Sequence, residues 1–324
     1  LFSNKTNFAN YLYCNIPSSR IELKNNGSSM LIERCESMSE NNTILSRFFT
    51  QSSFHTFLPQ SIEPSPIYSV VRRYNISHNE CSKNEDVISE IYQYLANNYR
   101  NEYFYKNTLL NKLLINVHRL RTTVALTEVP IAKSKADFIM INGKAVVYEI
   151  KTALDTFDRL DSQISDYYKA FDHVCVVTSE DKKEEAARKL FGSPVGLYIL
   201  TNRNTIQRYK EPEECRDNLD LSCIFKILNK QEYESIVKKL HGTLPTVTPI
   251  NYYRKCKEIV CSSSIEDVYP LFLQELKKRN RIDIVDYKLI PDSLHFLTYF
   301  SKCKYSKEHY DNLCLFLKQP YKGR

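Results

Sequence analysis

The chain has 324 residues, of which only 6 are glycine, 42% are hydrophobic and 26% charged, with a formal net charge of +7. None of the glycines forms the closely spaced patterns through which a Rossmann turn or a P-loop brings backbone against phosphate, so both readings are excluded. No apolar run reaches the roughly 18–20 residues of a membrane span, and ten scattered cysteines without a C-x-x-C fit a reduced, cytoplasmic protein.

Residues 1–85 are rich in Asn and Ser, are broken by Pro59, Pro64 and Pro66, and read as short helices and loops. From Asp86, Val87, Ile88, Ile91, Tyr92 and Leu95 recur at helical spacing, and a second helical stretch runs through Tyr105, Leu109, Leu110, Leu113 and Leu114. The period then changes. Residues 122–131, 136–141 and 145–150 are strand-like, and Asn142-Gly143 marks a hairpin between the last two. A helix over about 155–171, a buried strand at Val174–Val177, a helix over about 180–190 and a strand at Gly196–Leu200 follow. This order predicts an α/β domain over 86–205, a mixed sheet with helices on its faces. Residues 206–324 read as mainly helical, notably 230–241 before Gly242 and 264–279 behind the Ser262-Ser-Ser264 cap.

Three residues carry the candidate chemistry. Asp137 lies near the start of the first hairpin strand, and Glu149 and Lys151 share one face at the end of the next. Two carboxylates on adjacent strands can hold a hard divalent cation, Mg²⁺ or Mn²⁺, and a neighbouring lysine can stabilise developing negative charge. A strict two-residue Asn142-Gly143 loop would point Asp137 away from Glu149. A three-residue loop with Gly143 left-handed, or a bend near Asp137, would set the two together. Asp-x12-Glu-x-Lys alone is a weak signal, because charged strand ends are common.

Beyond Lys151, Asp155, Arg159, Gln163 and Tyr167 recur every four residues as a polar stripe, beside an apolar stripe of Leu154, Leu160, Ile164, Tyr168 and Phe171. Asp155 and Arg159 also read as a plain i,i+4 ion pair. Basic residues interleaved with tyrosine at 97–122 and 276–324 suit a phosphate backbone, although on this pattern alone the solvated faces of ordinary helices are the stronger reading.

Lys135-Ala-Asp137, Tyr148-Glu-Ile-Lys151 and Asp155-Thr-Phe-Asp-Arg-Leu160 followed by Gln163 and Tyr167 resemble a bacterial family within the PD-(D/E)XK nuclease superfamily. The resemblance covers about 86–205 and departs from the motif in having Ala136 before Asp137. It implies a restriction-endonuclease-like core and metal-dependent hydrolysis of nucleic-acid phosphodiesters, DNA ahead of RNA. Bacterial genome or phage defence follows by analogy with such nucleases. It implies Asp137 and Glu149 as metal ligands, with Glu128 or Glu102 as a further candidate, and Glu90 behind Glu102. Lys151 would be the catalytic lysine, and Gln163 and Tyr167 would orient catalytic groups. Arg159, Lys106, Lys112 and Lys135 are the candidates for contacting nucleic acid. An oligomer or a protein partner for the flanks is a further expectation. The rival reading is a non-catalytic nucleic-acid-binding or regulatory protein that retains the fold.

Overall fold

The computed structural model describes residues 42–58, 82–115, 122–279, 286–301 and 306–321. The chain divides into two units, Leu1–Asn41 and Asn42–Arg324, and every described residue belongs to the second. Residues 116–121 of the basic 97–122 stretch, parts of the basic 276–324 stretch and much of residues 1–85 lie outside the described residues.

At the centre is a six-stranded mixed sheet in sequential order: β1 (Val124–Ile131), β2 (Ser134–Asn142), β3 (Lys144–Lys151), β4 (His173–Ser179), β5 (Gly196–Leu200) and β6 (Ile206–Lys210). β1 to β3 form an antiparallel meander, β3, β4 and β5 run parallel, and β6 returns antiparallel. The parallel strands β4 and β5 are buried along their whole length, as expected where helices cover both sheet faces.

Alternation along β3 divides the core. Ala145 and Val147 face one layer, built from α4 (Leu160–Tyr167) and the C-terminal helices α6 (Leu221–Ile227), α7 (Lys230–His241), α8 (Pro249–Cys261) and α9 (Ile265–Lys277). Val146, Tyr148 and Ile150 face the other, built from α3 (Glu102–Leu109), its π-helical continuation Leu110–Ile115 and Phe296 of α10 (His295–Tyr299). A third cluster joins Phe48, Phe54 of α1 (Gln51–His55), α2 (Asn84–Asn98) and α11 (Lys307–Lys318). α5 (Lys183–Lys189) links β4 to β5. The hydrophobic clusters therefore run across the sequence divisions at 85/86 and 205/206.

The helix–strand order read over 86–201 is present, with one boundary moved. The helix after Lys151 begins at Leu160, not near 155, because Asp155 accepts hydrogen bonds from the Thr152 backbone N–H (2.8 Å) and hydroxyl (2.7 Å). This local capture competes with helix formation. It leaves Leu154 exposed and puts Phe157 into the core instead. Beyond 205, where the sequence reads as mainly helical, β6 is a strand instead, while α6 and α8 are helices that the sequence did not delimit singly.

Candidate active site

The hairpin decides whether Asp137 and Glu149 meet. Asn142 pairs with Lys144 around Gly143, whose φ is +76°, and the pairing continues through Met140–Val146 to Phe138–Tyr148. This is the three-residue connection with a left-handed glycine. One step further along the same register lies Asp137 opposite Glu149. The Asp137 Oδ2 accepts the Ile150 backbone N–H at 2.9 Å, which fixes the carboxylate at the β3 edge.

The bend is present as well. Leu126 and Val129 of β1 face the same core layer although three residues apart, as do Ala136 and Ile139 of β2. Both strands change face together while their pairing register is kept. The break falls at Glu128, whose φ of +56° is uncommon for a residue with a side chain. This kink lifts Glu128 and Asp137 out of the ordinary alternation and turns them to a common point.

Two linked groups result. In the first, Glu149 is 1% exposed and both its oxygens are engaged. Oε1 accepts from Gln163 Nε2 at 2.6 Å and lies 2.9 Å from Lys151 Nζ, while Oε2 accepts from the Tyr167 hydroxyl at 2.5 Å. Lys151 Nζ also donates to Gln163 Oε1 at 2.8 Å, closing a ring of three side chains. The Tyr167 hydroxyl lies 3.0 Å from the Lys135 carbonyl as well, tying α4 to β2. Burial, then the charge and hydrogen bond of Glu149, raise the Tyr167 pKa, so its hydroxyl stays a neutral donor.

In the second group, carboxylate oxygens of Glu102, Glu128 and Asp137 all lie within 4.8 Å of one another. Lys106 ion-pairs with Glu102 at 2.5 Å and with Glu128, and Lys135 pairs with Glu128 from the other side. Burial lowers the Lys106 pKa, but the charge and hydrogen bond of Glu102 and the hydrogen bond to Glu128 outweigh it and leave it raised. Burial likewise raises Glu128, and the hydrogen bonds from Lys106 and Lys135 overcome it, holding the carboxylate low. Asp137 goes the other way. Desolvation first, and the Glu149 charge second, push it up to about 7.

Asp137, Glu149, Lys151, Gln163 and Tyr167 are thus brought together. The three acids that converge within 4.8 Å are Glu102, Glu128 and Asp137; Glu149, opposite Asp137, has its oxygens held by Gln163, Lys151 and Tyr167, just as Lys106 and Lys135 hold those of Glu128. Glu90 lies on α2 and is not part of that cluster. Hard carboxylate oxygens at this spacing suit Mg²⁺ or Mn²⁺. Among the nucleic-acid candidates, Arg159 and Lys112 are exposed, and Lys135 is exposed but paired. Lys106 differs from expectation: it is only 6% exposed, and its charge is turned inward to the acids. The Glu102-x3-Lys106 spacing, which sets the two side chains on one helix face, was the sequence signal for that pairing. The expected Asp155–Arg159 ion pair is replaced by the Thr152–Asp155 turn. Asp166, not singled out from sequence, accepts from Lys133 N–H (3.2 Å) and Ser134 Oγ (2.8 Å) and so anchors the β1–β2 turn to α4.

The family model for bacteriophage P4 protein cII matches residues 95–297, which span α3, the whole sheet and the C-terminal helices through most of α10. The chain belongs to the bacteriophage P4 protein cII family. Protein cII of Enterobacteria phage P4 is 24% identical over 148 residues, 45% of this chain and 54% of that protein. The chain therefore spans about half the length of that curated relative. No solved structure matches the chain. Among the described residues, no helix is long and apolar enough to cross a membrane, and six cysteines are free thiols.

Proposed function

We propose that this protein is a metal-dependent nuclease with a PD-(D/E)XK-like core, hydrolysing nucleic-acid phosphodiesters, DNA ahead of RNA. The observation that carries the reading is the closed Glu149–Lys151–Gln163 ring beside Asp137, formed across β2, β3 and α4. When bound, a divalent cation would bring positive charge to the phosphate and acidity to a water. Asp137 and Glu149 are the groups that would hold it, with Glu102 or Glu128 as a further ligand. Gln163 binds both Glu149 and Lys151, so it fixes where the ammonium sits. Lys151 presents a buried cation to the negative charge that develops on the phosphate. Tyr167 locks the far oxygen of Glu149. Arg159 and Lys112 offer exposed positive charge for the backbone.

Incubation of the purified chain with plasmid, single-stranded DNA and RNA, in Mg²⁺, Mn²⁺ or EDTA, tests the reading. Cleavage that needs the metal and is lost in Lys151→Ala and Glu149→Ala is expected, with circular dichroism checking that each variant folds. Binding without cleavage by the wild type would instead favour the non-catalytic nucleic-acid-binding or regulatory reading.

A further inference from the structure

A long cationic side chain usually buries its stem and keeps its head in water. Lys106 does the opposite. It sits on α3 with both stem and ammonium buried, and the ammonium is enclosed by Glu102 from the preceding helical turn and Glu128 from the β1 kink. An i,i+4 pair with Glu102 alone would be worth a few tenths of a kcal/mol at a surface and needs no burial. The second contact is long-range. It exists because the left-handed backbone at Glu128 aims that carboxylate at α3. Thus the acids that converge beside Asp137 already enclose one positive charge of the protein's own.

We propose that Lys106 is the built-in second cation of this site. It occupies the Glu102–Glu128 side of the acidic cluster, leaves the Asp137 side for a single divalent ion, and so limits the centre to one metal. This rests on the metal-dependent reading above. Charge supports the assignment. Glu102, Glu128, Asp137 and Glu149 contribute four negative charges when ionised, and Lys106, Lys135 and Lys151 contribute three positive ones. The balance of −1 becomes +1 with one divalent ion, which matches one phosphodiester. Two divalent ions would leave +3 around the buried Lys106 and Glu149. Without Lys106 the balance falls to −2 and the space between Glu102 and Glu128 is vacated, so two divalent ions leave +2 instead of +3 and both have room.

The test is Mn²⁺ binding to the full chain at pH 8, followed by calorimetry and by electron paramagnetic resonance, with no nucleic acid and no turnover. The wild type is expected to bind one Mn²⁺ per chain with no spin coupling between ions. Lys106→Met is expected to bind two, with the coupled signal of a close pair. Lys106→Arg, which restores the charge, is expected to return to one. A Lys106→Met protein that still binds one ion with unchanged affinity would overturn the proposal. So would two ions in the wild type, a result that decides the matter even if Lys106→Met does not fold. No Mn²⁺ binding by the wild type would overturn the metal reading itself, and this inference with it.

Discussion

Asp137 offers a quantitative handle that needs no substrate. Its carboxyl is pushed from 3.8 to about 7 by desolvation and by the neighbouring Glu149. At about 1.4 kcal/mol per pH unit, that corresponds to about 4 kcal/mol between its neutral and charged forms. The side chain keeps some exposure to water, which screens the effect to about 1–3 kcal/mol. The sign follows from proton counting. Between about pH 4 and pH 7 the folded chain holds a proton at Asp137 that the unfolded chain has released, so stability falls as pH rises through this window. Carboxylates that the fold holds low, among them Glu128 and Asp172, contribute a slope of opposite sign at more acid pH. The informative quantity is therefore the difference between the wild type and Asp137→Asn, which is neutral throughout. Urea unfolding in EDTA at pH 4.5, 6 and 8 measures it. Relative to the wild type, Asp137→Asn should gain about 1–3 kcal/mol between the lowest and highest pH. Parallel stability–pH curves for the two proteins would refute the reasoning.

Three further predictions follow from single contacts. Gly143→Ala meets no atom within 4 Å of the new methyl group, so its cost is the left-handed backbone alone, about 1–2 kcal/mol by urea unfolding. Tyr269→Phe removes a hydroxyl bound to the buried Asp172 at 2.7 Å, and should cost about 1–3 kcal/mol, read as a lowered Tm. Gln163→Leu breaks the ring but leaves the direct Lys151–Glu149 pair, so it should fold while metal-dependent cleavage, if assayed beside the wild type, falls at least tenfold; unchanged cleavage would remove Gln163 from the site.

The parts of the fold legible in the sequence are those where burial alone dictates the pattern. Val174-Cys-Val-Val177 and Ala145–Ile150 read as strands because helices cover both faces of the sheet there. β6 escaped because Gln207, Arg208 and Tyr209 are exposed at the sheet edge, where hydrophobic alternation fades. α8 falls within the stretch read as helical, and Thr248-Pro249, proline at the first turn, is the signal that would have fixed its start. The helix start near 155 was misplaced because four-residue spacing from Asp155 to Tyr167 is blind to a threonine three residues upstream that takes the aspartate first. Within the site, Gly143 was legible as a register device, since turn chemistry is local. The fate of Lys106 was not, because it depends on a carboxylate 22 residues away at a backbone kink.

That kink links the fold to the proposed chemistry. A left-handed, non-glycine residue costs of order 1–2 kcal/mol and persists only when its surroundings hold it. At Glu128 the holding contacts are visible: ion pairs to Lys106 and Lys135 on the side chain, and flanking ladder pairs Thr127–Phe138 and Val129–Ala136 on the backbone. A glycine would adopt the same φ without strain, so the backbone alone does not account for glutamate there. What glutamate adds is a carboxylate placed within 4.8 Å of those of Asp137 and Glu102. The strain and the acidic cluster therefore have one source. The same kink moves Asp137 out of the hydrophobic alternation without shifting the β2–β3 register, so the aspartate reaches the Ile150 N–H beside Glu149 where the β2–β3 ladder ends, while β1 and β2 keep one register on both sides of it.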